Sequence, residues 1–398
     1  MKMRLTFLLF LVLATHGHAV SVEELNKRFK KLPTVAEKDL PELSNQREPF
    51  PGVIQHEGLQ GHVWTKFPFV ENPGSIGIDR KGRIFVTEVN RFWLGVPDLR
   101  GANELIREDF QATEVADRAK LYEKYKARFP EGFFTTVPDR IIRLEDRDGN
   151  GAADHRTLFS DHFKHAVDGI GFSVLQEDDA VYFTCIPKVW KLMDKDDDGV
   201  ADVHDSIAEG FGVRVSFIGH DLHGIIRGPD GRLYFSVGDR GYNVTTKEGK
   251  NYSAPGRGAI FRCESDGSGF EVVCTGLRNP QELAFDEYGN LFTFDNTGDI
   301  GDLARLVYVL EGSDSGWDMS HQSAHHYRKI LDWENFHPQT SMWVKEQMFK
   351  PWNKEQPQWV YPPASNVARG PSGVTYLSGD SLPVDLQGKF LLANYRGP

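Results

Sequence analysis

The most regular feature of the sequence is a pair of short apolar segments separated by a polar turn of Asp and Gly residues. The segments are rich in Ile, Val, Leu, Phe and Tyr, the composition of β-strands rather than helices. Five copies of the pair occur, at residues 77–88, 169–184, 224–236, 282–294 and 373–393. A further apolar segment that leads into an acidic turn recurs at residues 142–146, 190–194 and 261–265. The pattern therefore predicts an all-β chain built from repeated hairpins.

The spacing between successive copies, roughly 50–60 residues, is typical of β-propeller blades. A β-sandwich is the alternative, but a sandwich would not use the same turn chemistry in unit after unit. We expect a six-bladed β-propeller over residues 50–398 that is incomplete at its C-terminus, because Pro398 follows directly on a strand.

Two insertions interrupt the repeats, near residues 99–137 and 320–363. The first contains a run of helix-forming residues at 113–129, with apolar positions at helical spacing, and predicts a helical insertion. The second is rich in Trp and His, and its aromatic residues either cover one face of the propeller or simply pack onto the blades.

The N-terminus has the pattern of a secretion signal. Lys2 and Arg4 precede an apolar run over residues 5–14, and small residues follow at 17–19. This predicts a signal peptide over residues 1–19, a polar segment over 20–49 and a periplasmic or secreted protein. The apolar run is shorter than the roughly 20 residues that span a bilayer, and no other segment is apolar enough for a membrane span.

Net charge and cysteine content narrow the partners and the redox chemistry. The net charge of −11 makes nucleic acid an unsuitable partner, because phosphate binding requires a basic surface. Small solutes or cations fit better. Cys263 and Cys274 flank a turn at 266–269, which predicts a disulfide across a hairpin in an oxidising compartment. Cys185 lies in an apolar run and is expected to be a buried free thiol.

Two acidic loops have the ligand spacing of a twelve-residue calcium loop, in which carboxylate oxygens converge and Gly permits the sharp turn. The flanking segments are predicted strands, so we expect calcium-binding hairpins with a structural role; solvated acidic turns are the alternative. The predicted metal ligands of the later loop are Asp194, Asp196, Asp198, Val200 (through its carbonyl), Asp202 and Asp205. Those of the earlier loop are Asp146, Asp148, Asn150, Ala152 (through its carbonyl) and Asp154.

Two further segments carry a family resemblance. Residues 276–285, Gly-Leu-Arg-Asn-Pro-Gln-Glu-Leu-Ala-Phe, resemble the Gly-x-Arg-Asn-Pro-Gln-Gly-Leu segment of soluble sugar dehydrogenases that use pyrroloquinoline quinone (PQQ). Residues 220–241, from His220 through Gly238-Asp239, are similar to that family's histidine strand and Gly-Asp turn. The chain also resembles the membrane-bound dehydrogenase family of PVC-type bacteria, whose members often carry a c-type haem domain.

The resemblance implies an oxidoreductase that acts on a sugar or alcohol, with PQQ and calcium as cofactors and a c-type cytochrome as electron acceptor. It implies that His220 is the general base and that Arg278 stabilises negative charge on the quinone. Cofactor-binding roles fall on Arg278, Asn279, Gln281, Asn296, Thr297 and Gly298.

The sequence also departs from the family. Leu222-His223-Gly224 replaces a Gly-Gly-Arg, and Glu282 replaces a Gly. His223 is therefore a rival base. Two other functions remain open: a non-catalytic propeller that binds carbohydrate or protein, and a calcium-dependent lactone hydrolase that uses Glu88, Asn279 and Asp295. Because His220 and Arg278 each precede an equivalent strand by four residues, we expect both side chains to face one pocket.

Overall fold

The computed structural model describes residues 48–322 except positions 53, 55, 178, 300 and 301, together with positions 27, 327, 363–367, 370–379 and 382–394. A short two-stranded sheet of β1 (Glu48–Pro49) and β2 (His62–Val63) precedes the main architecture. The predicted signal peptide (1–19), nearly all of the polar segment (20–49) and most of the second insertion (320–363) lie outside the described residues.

Four antiparallel four-stranded sheets follow, and we number them as blades 1 to 4. Their strands are, in blade 1, β3 (Pro73–Ile78), β4 (Ile84–Glu88), β5 (Asp139–Glu145) and β6 (His155–Phe163); in blade 2, β7 (Gly171–Gln176), β8 (Val181–Cys185), β9 (Lys188–Met193) and β10 (Val203–Glu209). In blade 3 they are β11 (Leu222–Arg227), β12 (Leu233–Val237), β15 (Gly258–Cys263) and β16 (Glu271–Leu277), with the hairpin β13 (Tyr242–Thr245) and β14 (Asn251–Ala254) inserted. Blade 4 consists of β17 (Pro280–Phe285), β18 (Leu291–Asp295), β19 (Ala304–Tyr308) and β20 (Ser365–Val367). A two-stranded sheet, β21 (Pro371–Leu377) with β22 (Lys389–Asn394), comes after blade 4.

The blades are arranged around an axis that their first strands surround. Strand β3 lies beside β7, β7 beside β11, β11 beside β17, and β17 beside β21. Each first strand thus contacts the first strand of the next sheet, which is the arrangement of a propeller. The predicted all-β, propeller-like fold is confirmed for four blades, and the number six stays a prediction.

Apolar side chains fill the spaces between neighbouring blades. One buried cluster joins Phe85 and Phe159 of blade 1 to Phe183 of blade 2, and comparable clusters join blades 2 and 3 and blades 3 and 4. Burying one such side chain contributes about 1.5–3 kcal/mol. The second strands of blades 2 and 3, β8 and β12, are buried at every residue and are nearly continuous apolar runs in the sequence.

A buried hydroxyl on the second strand links each blade to the next. Thr87 Oγ1 accepts a hydrogen bond from Ser75 N at 2.8 Å and donates one to Phe172 O, in blade 2, at 2.8 Å. Thr184 Oγ1 likewise accepts from Ser173 N at 3.0 Å and lies 3.2 Å from Leu222 O of blade 3.

The third member of this set, Ser236, donates to Pro280 O of blade 4 at 2.7 Å. All three hydroxyl residues are fully buried and occupy the fourth position of their strands. We call them the interblade hydroxyls.

These hydroxyls lie where the first strand of each blade carries a β-bulge. The register between first and second strands shifts between Pro73 and Ile76 in blade 1 and between Gly171 and Val174 in blade 2. A bulge removes a backbone N–H from the ladder, and a buried unpaired N–H costs about 1–3 kcal/mol. The interblade hydroxyls of blades 1 and 2 accept a hydrogen bond from that N–H, and each also lies within hydrogen-bond distance of a carbonyl of the next blade.

Strand polarity determines which loops share a face. Since the strands of each blade are antiparallel, the loops between second and third strands lie on the same face as the connections between blades. We call this the upper face, and the face that carries the other two hairpins of each blade the lower face.

The first insertion lies on the upper face and contains the predicted helix, at Val115–Tyr125, with shorter helical turns at Asn103–Leu105, Ile106–Asp109 and Lys126–Arg128. Its apolar side chains pack on Phe217 and on Met319 and Tyr327, which come from the beginning of the second insertion, where a helical turn spans Met319–Gln322. The two insertions therefore meet above blades 2 and 3. No helix in the described part of the chain has the length and apolar character needed to cross a membrane.

The predicted disulfide is wrong: Cys263, Cys274 and Cys185 are all free and buried. A register shift between Ile260 and Phe261 places Cys274 opposite Ile260, so the two cysteines are not paired across the hairpin. Cys263 packs in the core between blades 2 and 3, whereas Cys274 packs in the core between blades 3 and 4. The side chains thus lie on opposite faces of the sheet. The expectation for Cys185 is confirmed.

The interblade hydroxyls generate a stability prediction. Thr184→Val keeps the shape of the side chain but leaves Ser173 N and Leu222 O without their partner, so the free energy of unfolding should fall by about 1–3 kcal/mol. Chemical denaturation would measure the loss. Ser206→Ala is the matched control, because Ser206 is an exposed hydroxyl in the same blade, and it should change stability by less than about 0.5 kcal/mol. Equal effects of the two substitutions would contradict the role assigned to Thr184.

Candidate functional site

The upper face brings together most of the residues implicated by the sequence. His220 lies in the connection that leads into β11, and Arg278 and Asn279 lie in the connection that leads into β17. Asn296, Thr297 and Gly298 follow the end of β18. Connections between blades and loops that follow second strands share this face, so residues separated by more than 70 positions become neighbours.

His220 forms a dyad with Asp239. The imidazole Nδ1 lies 2.7 Å from Asp239 Oδ1, and both side chains are buried. Asp239 also accepts hydrogen bonds from Ser216 Oγ at 2.9 Å and from Trp317 Nε1 at 2.9 Å. These two donors hold the carboxylate in place, and the carboxylate in turn orients the ring of His220.

The electrostatics of the dyad favour a neutral imidazole beside an ionised carboxylate. Burial lowers the pKa of His220, opposed by the charge of Asp239. Burial alone would raise the pKa of Asp239, but His220 and Arg278 together hold that pKa below its usual value. Because Asp239 can only accept, Nδ1 of the neutral ring carries the proton and Nε2 presents its lone pair. Nε2 has no hydrogen-bond partner among the described residues.

His223 is arranged differently. Its Nε2 lies 3.0 Å from Gly219 O, which as a carbonyl must accept, so this nitrogen carries the proton. Burial lowers the pKa of His223 to about 4, and its ring packs 4.5 Å from that of Phe172. Of the two rival bases, His220 is therefore the one whose free nitrogen and carboxylate partner suit proton abstraction.

Arg278 lies close enough to the dyad for its charge to lower the pKa values of both His220 and Asp239. Its guanidinium carbon is 5.4 Å from the ring centre of Trp317 and 6.0 Å from that of Phe217. Arg278 Nη2 donates to Asp299 Oδ2 at 2.6 Å. The structure thus places His220 and Arg278 in one buried cluster.

A second buried carboxylate shapes the loop that holds Arg278. Asp295 accepts the backbone N–H groups of Arg278 and Asn279 at 3.0 and 2.7 Å and is ion-paired with Arg305. The side chain of Asn279 donates through Nδ2 to Gly219 O at 3.1 Å, which ties this loop to the one that carries His220.

The remaining predicted cofactor residues are less engaged with the dyad. Gln281 is half-buried on β17. In the loop after β18, Asn296 Oδ1 accepts from Thr297 N, and Gly298 N donates to Asp302 at 2.7 Å. This loop is ordered by its own hydrogen bonds and meets the cluster through Asp299.

Sequence reasoning missed the roles of Asp239, Trp317, Phe217 and Asp299. Asp239 stood within residues 220–241, which resemble the dehydrogenases, so the resemblance signalled its presence but not its contact. The contacts of Trp317, Phe217 and Asp299 with Arg278 bridge separate loops, and no spacing in the sequence predicts such contacts.

Both predicted calcium loops form hairpins on the lower face, at the opposite end of the blades from the dyad. In each loop three carboxylate groups offer oxygens within 4.8 Å of one another: Asp146, Asp148 and Asp154 in blade 1, and Asp194, Asp196 and Asp202 in blade 2. The backbone N–H of the central glycine donates to the first aspartate in both, at 2.9 Å from Gly151 and 2.8 Å from Gly199.

Other predicted ligands are not among these three-carboxylate groups. Asp205 is in β10, paired with Lys191 of β9, and Asp198 Oδ1 accepts from Val200 N at 2.8 Å. Asn150 Oδ1 similarly accepts from Ala152 N. In the blade 2 loop, Asp194 also pairs with the buried Arg143 of blade 1 at 3.1 Å, which compensates part of the acidic charge. Calcium binding therefore stays a prediction for both loops.

Glu282 reaches across the axis of the propeller. Its Oε1 accepts from Ser173 Oγ of blade 2 at 2.9 Å, and the same hydroxyl accepts from Gly224 N of blade 3 at 2.7 Å. A Cβ at position 224 would lie 3.1 Å from the Glu282 backbone, and Gly224 has a φ of +62°. The glycine makes room for Glu282 to join three blades. Burial raises the pKa of Glu282 to about 7.

The sequence profile of a family described as "Domain of unknown function (DUF7133)" matches residues 55–395. The chain belongs to the DUF7133 family. No curated protein is significantly similar to it in sequence.

Solved structures similar to this DUF7133 protein include sugar dehydrogenases. The PQQ-bound aldose sugar dehydrogenase of Streptomyces coelicolor is 16% identical, with a TM-score of 0.42, over 77% of this chain and 72% of the other. The apo-form of the soluble aldose sugar dehydrogenase of Escherichia coli is 11% identical, with a TM-score of 0.45, over 82% and 81%. The PQQ domain of the Coprinopsis cinerea pyranose dehydrogenase is 11% identical, with a TM-score of 0.43, over 85% and 74%.

The lower-face loops of the DUF7133 protein generate a calcium prediction. Calcium should raise the Tm, because an ion bound only by the folded state adds about 2.7 kcal/mol at a free concentration of about 100 times its Kd. The double variant Asp148→Ala with Asp196→Ala removes one carboxylate from each cluster and should abolish the rise. Asp266→Ala, at an exposed hairpin turn outside both loops, should retain it. An unmutated protein whose Tm does not respond to calcium would refute the prediction.

Glu282 generates a pH prediction. A carboxyl group whose pKa is raised by folding binds its proton more tightly in the folded state. Its stabilising contribution is therefore fully present below the ordinary pKa of about 4.3 and is lost as pH rises through about 7. Glu282→Gln should reduce the difference in unfolding free energy between pH 5 and pH 8 by an amount on the order of 1–3 kcal/mol.

Chemical denaturation at the two pH values measures this difference. The exposed Glu287→Gln serves as control in the same blade and should leave the difference unchanged. An unaltered pH dependence in Glu282→Gln would show that this carboxyl group titrates at an ordinary pKa.

Proposed function

We propose that this protein is an exported, quinoprotein-like oxidoreductase that oxidises a sugar or alcohol hydroxyl with PQQ and calcium on a six-bladed propeller. The observation that carries the proposal is the His220–Asp239 dyad, which lies on the upper face together with Arg278. A neutral imidazole held by a carboxylate is the arrangement of a general base, and a nearby guanidinium suits a site where negative charge develops.

In this proposal His220 Nε2 takes the proton of the substrate hydroxyl. Asp239 keeps the proton on Nδ1 and stabilises the imidazolium that results. Ser216 and Trp317 position Asp239 through their hydrogen bonds at 2.9 Å. PQQ, when bound, would accept the hydride from the substrate carbon that bears this hydroxyl.

Arg278 and Asn279 offer an unpaired hydrogen-bond donor and an unpaired acceptor, which suit a polar, planar cofactor. Arg278 Nε and Asn279 Oδ1 are buried and have no hydrogen-bond partner among the described residues. An unpaired buried donor or acceptor costs about 1–3 kcal/mol, so a ligand that pairs with these atoms would recover that cost. Arg278, Asn279 and Gln281 would hold the cofactor, and Asn296, Thr297 and Gly298 would supply oxygens to a calcium ion beside it.

The calcium-dependent lactone hydrolase gains less support. It would require Glu88, Asn279 and Asp295 to share a cation, but Asp295 is ion-paired with Arg305 and accepts two backbone N–H groups. Glu88 accepts from Glu71 N at 2.9 Å and lies 3.5 Å from Arg156. Both carboxylates thus already have partners.

Export to the periplasm or the medium, a c-type cytochrome as electron acceptor and kinship with the PVC-type membrane-bound dehydrogenases belong to the proposal. The signal-peptide pattern of residues 1–19 supports the export, and the resemblance of residues 220–241 and 276–285 supports the other two.

The proposal predicts a loss of oxidation in dyad variants. With PQQ and calcium added, the purified full-length protein should reduce a dye in the presence of sugars or alcohols. His220→Gln should lower kcat by about 10²–10⁴-fold, because a positioned general base contributes about that much. Asp239→Asn should also lower kcat, since it no longer fixes the proton on Nδ1.

The control is His162→Gln, which removes an exposed imidazole from blade 1 and should leave the rate unchanged. No dye reduction by the unmutated protein with any of a panel of aldoses and primary alcohols would overturn the proposal. A rate that survives His220→Gln would refute the assignment of the base.

A further inference from the structure

The guanidinium of Arg278 is held by a carboxylate that is itself partly open to solvent. The Arg278 side chain keeps only 3% of its surface exposed, whereas that of Asp299 keeps 24%. Their contact, 2.6 Å from Nη2 to Oδ2, has the length of a strong charge-assisted hydrogen bond. Asp299 therefore lies on the solvent side of Arg278, where a ligand would approach.

The backbone of Asp299 is strained. Its φ of +68° is in the left-handed region, which non-glycine residues adopt rarely. Thr297 Oγ1 accepts from Asp299 N at 3.2 Å, and Asp302 accepts from Gly298 N at 2.7 Å. These bonds hold the loop in the conformation that directs the carboxylate at Arg278.

The charge of Asp299 also acts on a second guanidinium, that of Arg100. Arg100, from the first insertion, lies 4.6 Å over the ring of Phe217, the ring that also borders Arg278. Although burial opposes it, the hydrogen bond and charge of Asp98, followed by the charge of Asp299, raise the pKa of Arg100. Asp98 pairs with Arg100 at 2.7 Å, so Arg100 already has a carboxylate partner of its own.

We propose that Asp299 is an internal occupant of an anion-binding position on Arg278, and that a ligand carboxylate enters the site by taking its place. The inference deepens the proposed function by naming the chemical class of the group that binds there. A buried guanidinium requires a negative partner, so exchange of one carboxylate for another preserves the charge balance. A neutral hydroxyl in the same place would leave Arg278 unpaired.

Two sources share this chemistry: an acidic sugar, and a quinone cofactor that carries carboxylates. Isothermal titration calorimetry at constant ionic strength would test both on the purified full-length protein, with sodium glucuronate and PQQ as separate probes and glucose as the neutral counterpart of glucuronate. The variant is Asp299→Asn, because Asn tolerates a positive φ better than other non-glycine residues while it removes the charge. Asp299→Gly is the second variant, and circular dichroism checks that both are folded.

Removal of an internal competitor should lower the Kd for at least one carboxylate probe about tenfold, because the incoming carboxylate no longer competes with Asp299 for Arg278. Glucose binding should not change. If only the affinity for glucuronate rises, the carboxylate belongs to an acidic sugar. If only the affinity for PQQ rises, it belongs to the cofactor. Adding Arg278→Gln to Asp299→Asn should abolish the gain.

Glu311→Gln is the matched control. Glu311 pairs with Arg262 at 2.8 Å on the outer edge of the blades and is largely exposed, so its loss should leave every Kd unchanged. The proposal is overturned if folded Asp299→Asn and Asp299→Gly bind neither carboxylate more tightly than the unmutated protein. It is equally overturned if the affinity for glucose rises as much as that for the carboxylates, because that would indicate general opening of the site. These readouts are affinities, so a failure of the oxidation assay would leave them separately interpretable.

Discussion

The structure depends on how the backbone N–H groups freed by β-bulges find hydrogen-bond partners at the centre of the propeller. Each first strand departs from its ladder where it begins, and in blades 1 and 2 the buried threonine of the second strand accepts the N–H that the bulge frees. The same hydroxyls lie within hydrogen-bond distance of a carbonyl of the following blade. One hydroxyl thus both pairs with the bulge of its own blade and contacts the next blade. This shared contact determines the positions from which the loops of the upper face begin.

The upper face is built on buried carboxylates rather than on regular secondary structure. Asp239 and Asp295 each organise a loop by accepting several hydrogen bonds, and Asp139 does the same in blade 1, where it accepts from Asn90 N, Arg91 N and Gly171 N at 2.7 Å. Burial raises the pKa of Asp139 to about 7. Such groups are costly to enclose unless every oxygen is paired, which is why these loops have little freedom to rearrange around His220.

The repeat pattern was sufficient to predict the blades, because strand, turn and strand follow from local composition. The equal offsets of His220 and Arg278 from their strands were sufficient to predict that they come together. The cysteine prediction failed because it assumed an uninterrupted ladder, and the register shift at Ile260 is invisible in the sequence. Asp299 was missed for a related reason: its partner lies 21 positions away across a loop, and no periodicity links such positions.

The segment that delivers Trp317 has a consequence for folding. Residues 312–317 belong to blade 4, yet they run beside β16 of blade 3: Gly312 N donates to Val273 O and Trp317 N to Gly276 O. Repeat architectures gain stability as successive units add to their neighbours. A nascent chain that assembles blade by blade would complete the loops of His220 and Asp239 first and receive the indole only after β19 had docked. Ordering of the contact between Trp317 and Asp239 would then come late and would report that the third strand of blade 4 has docked.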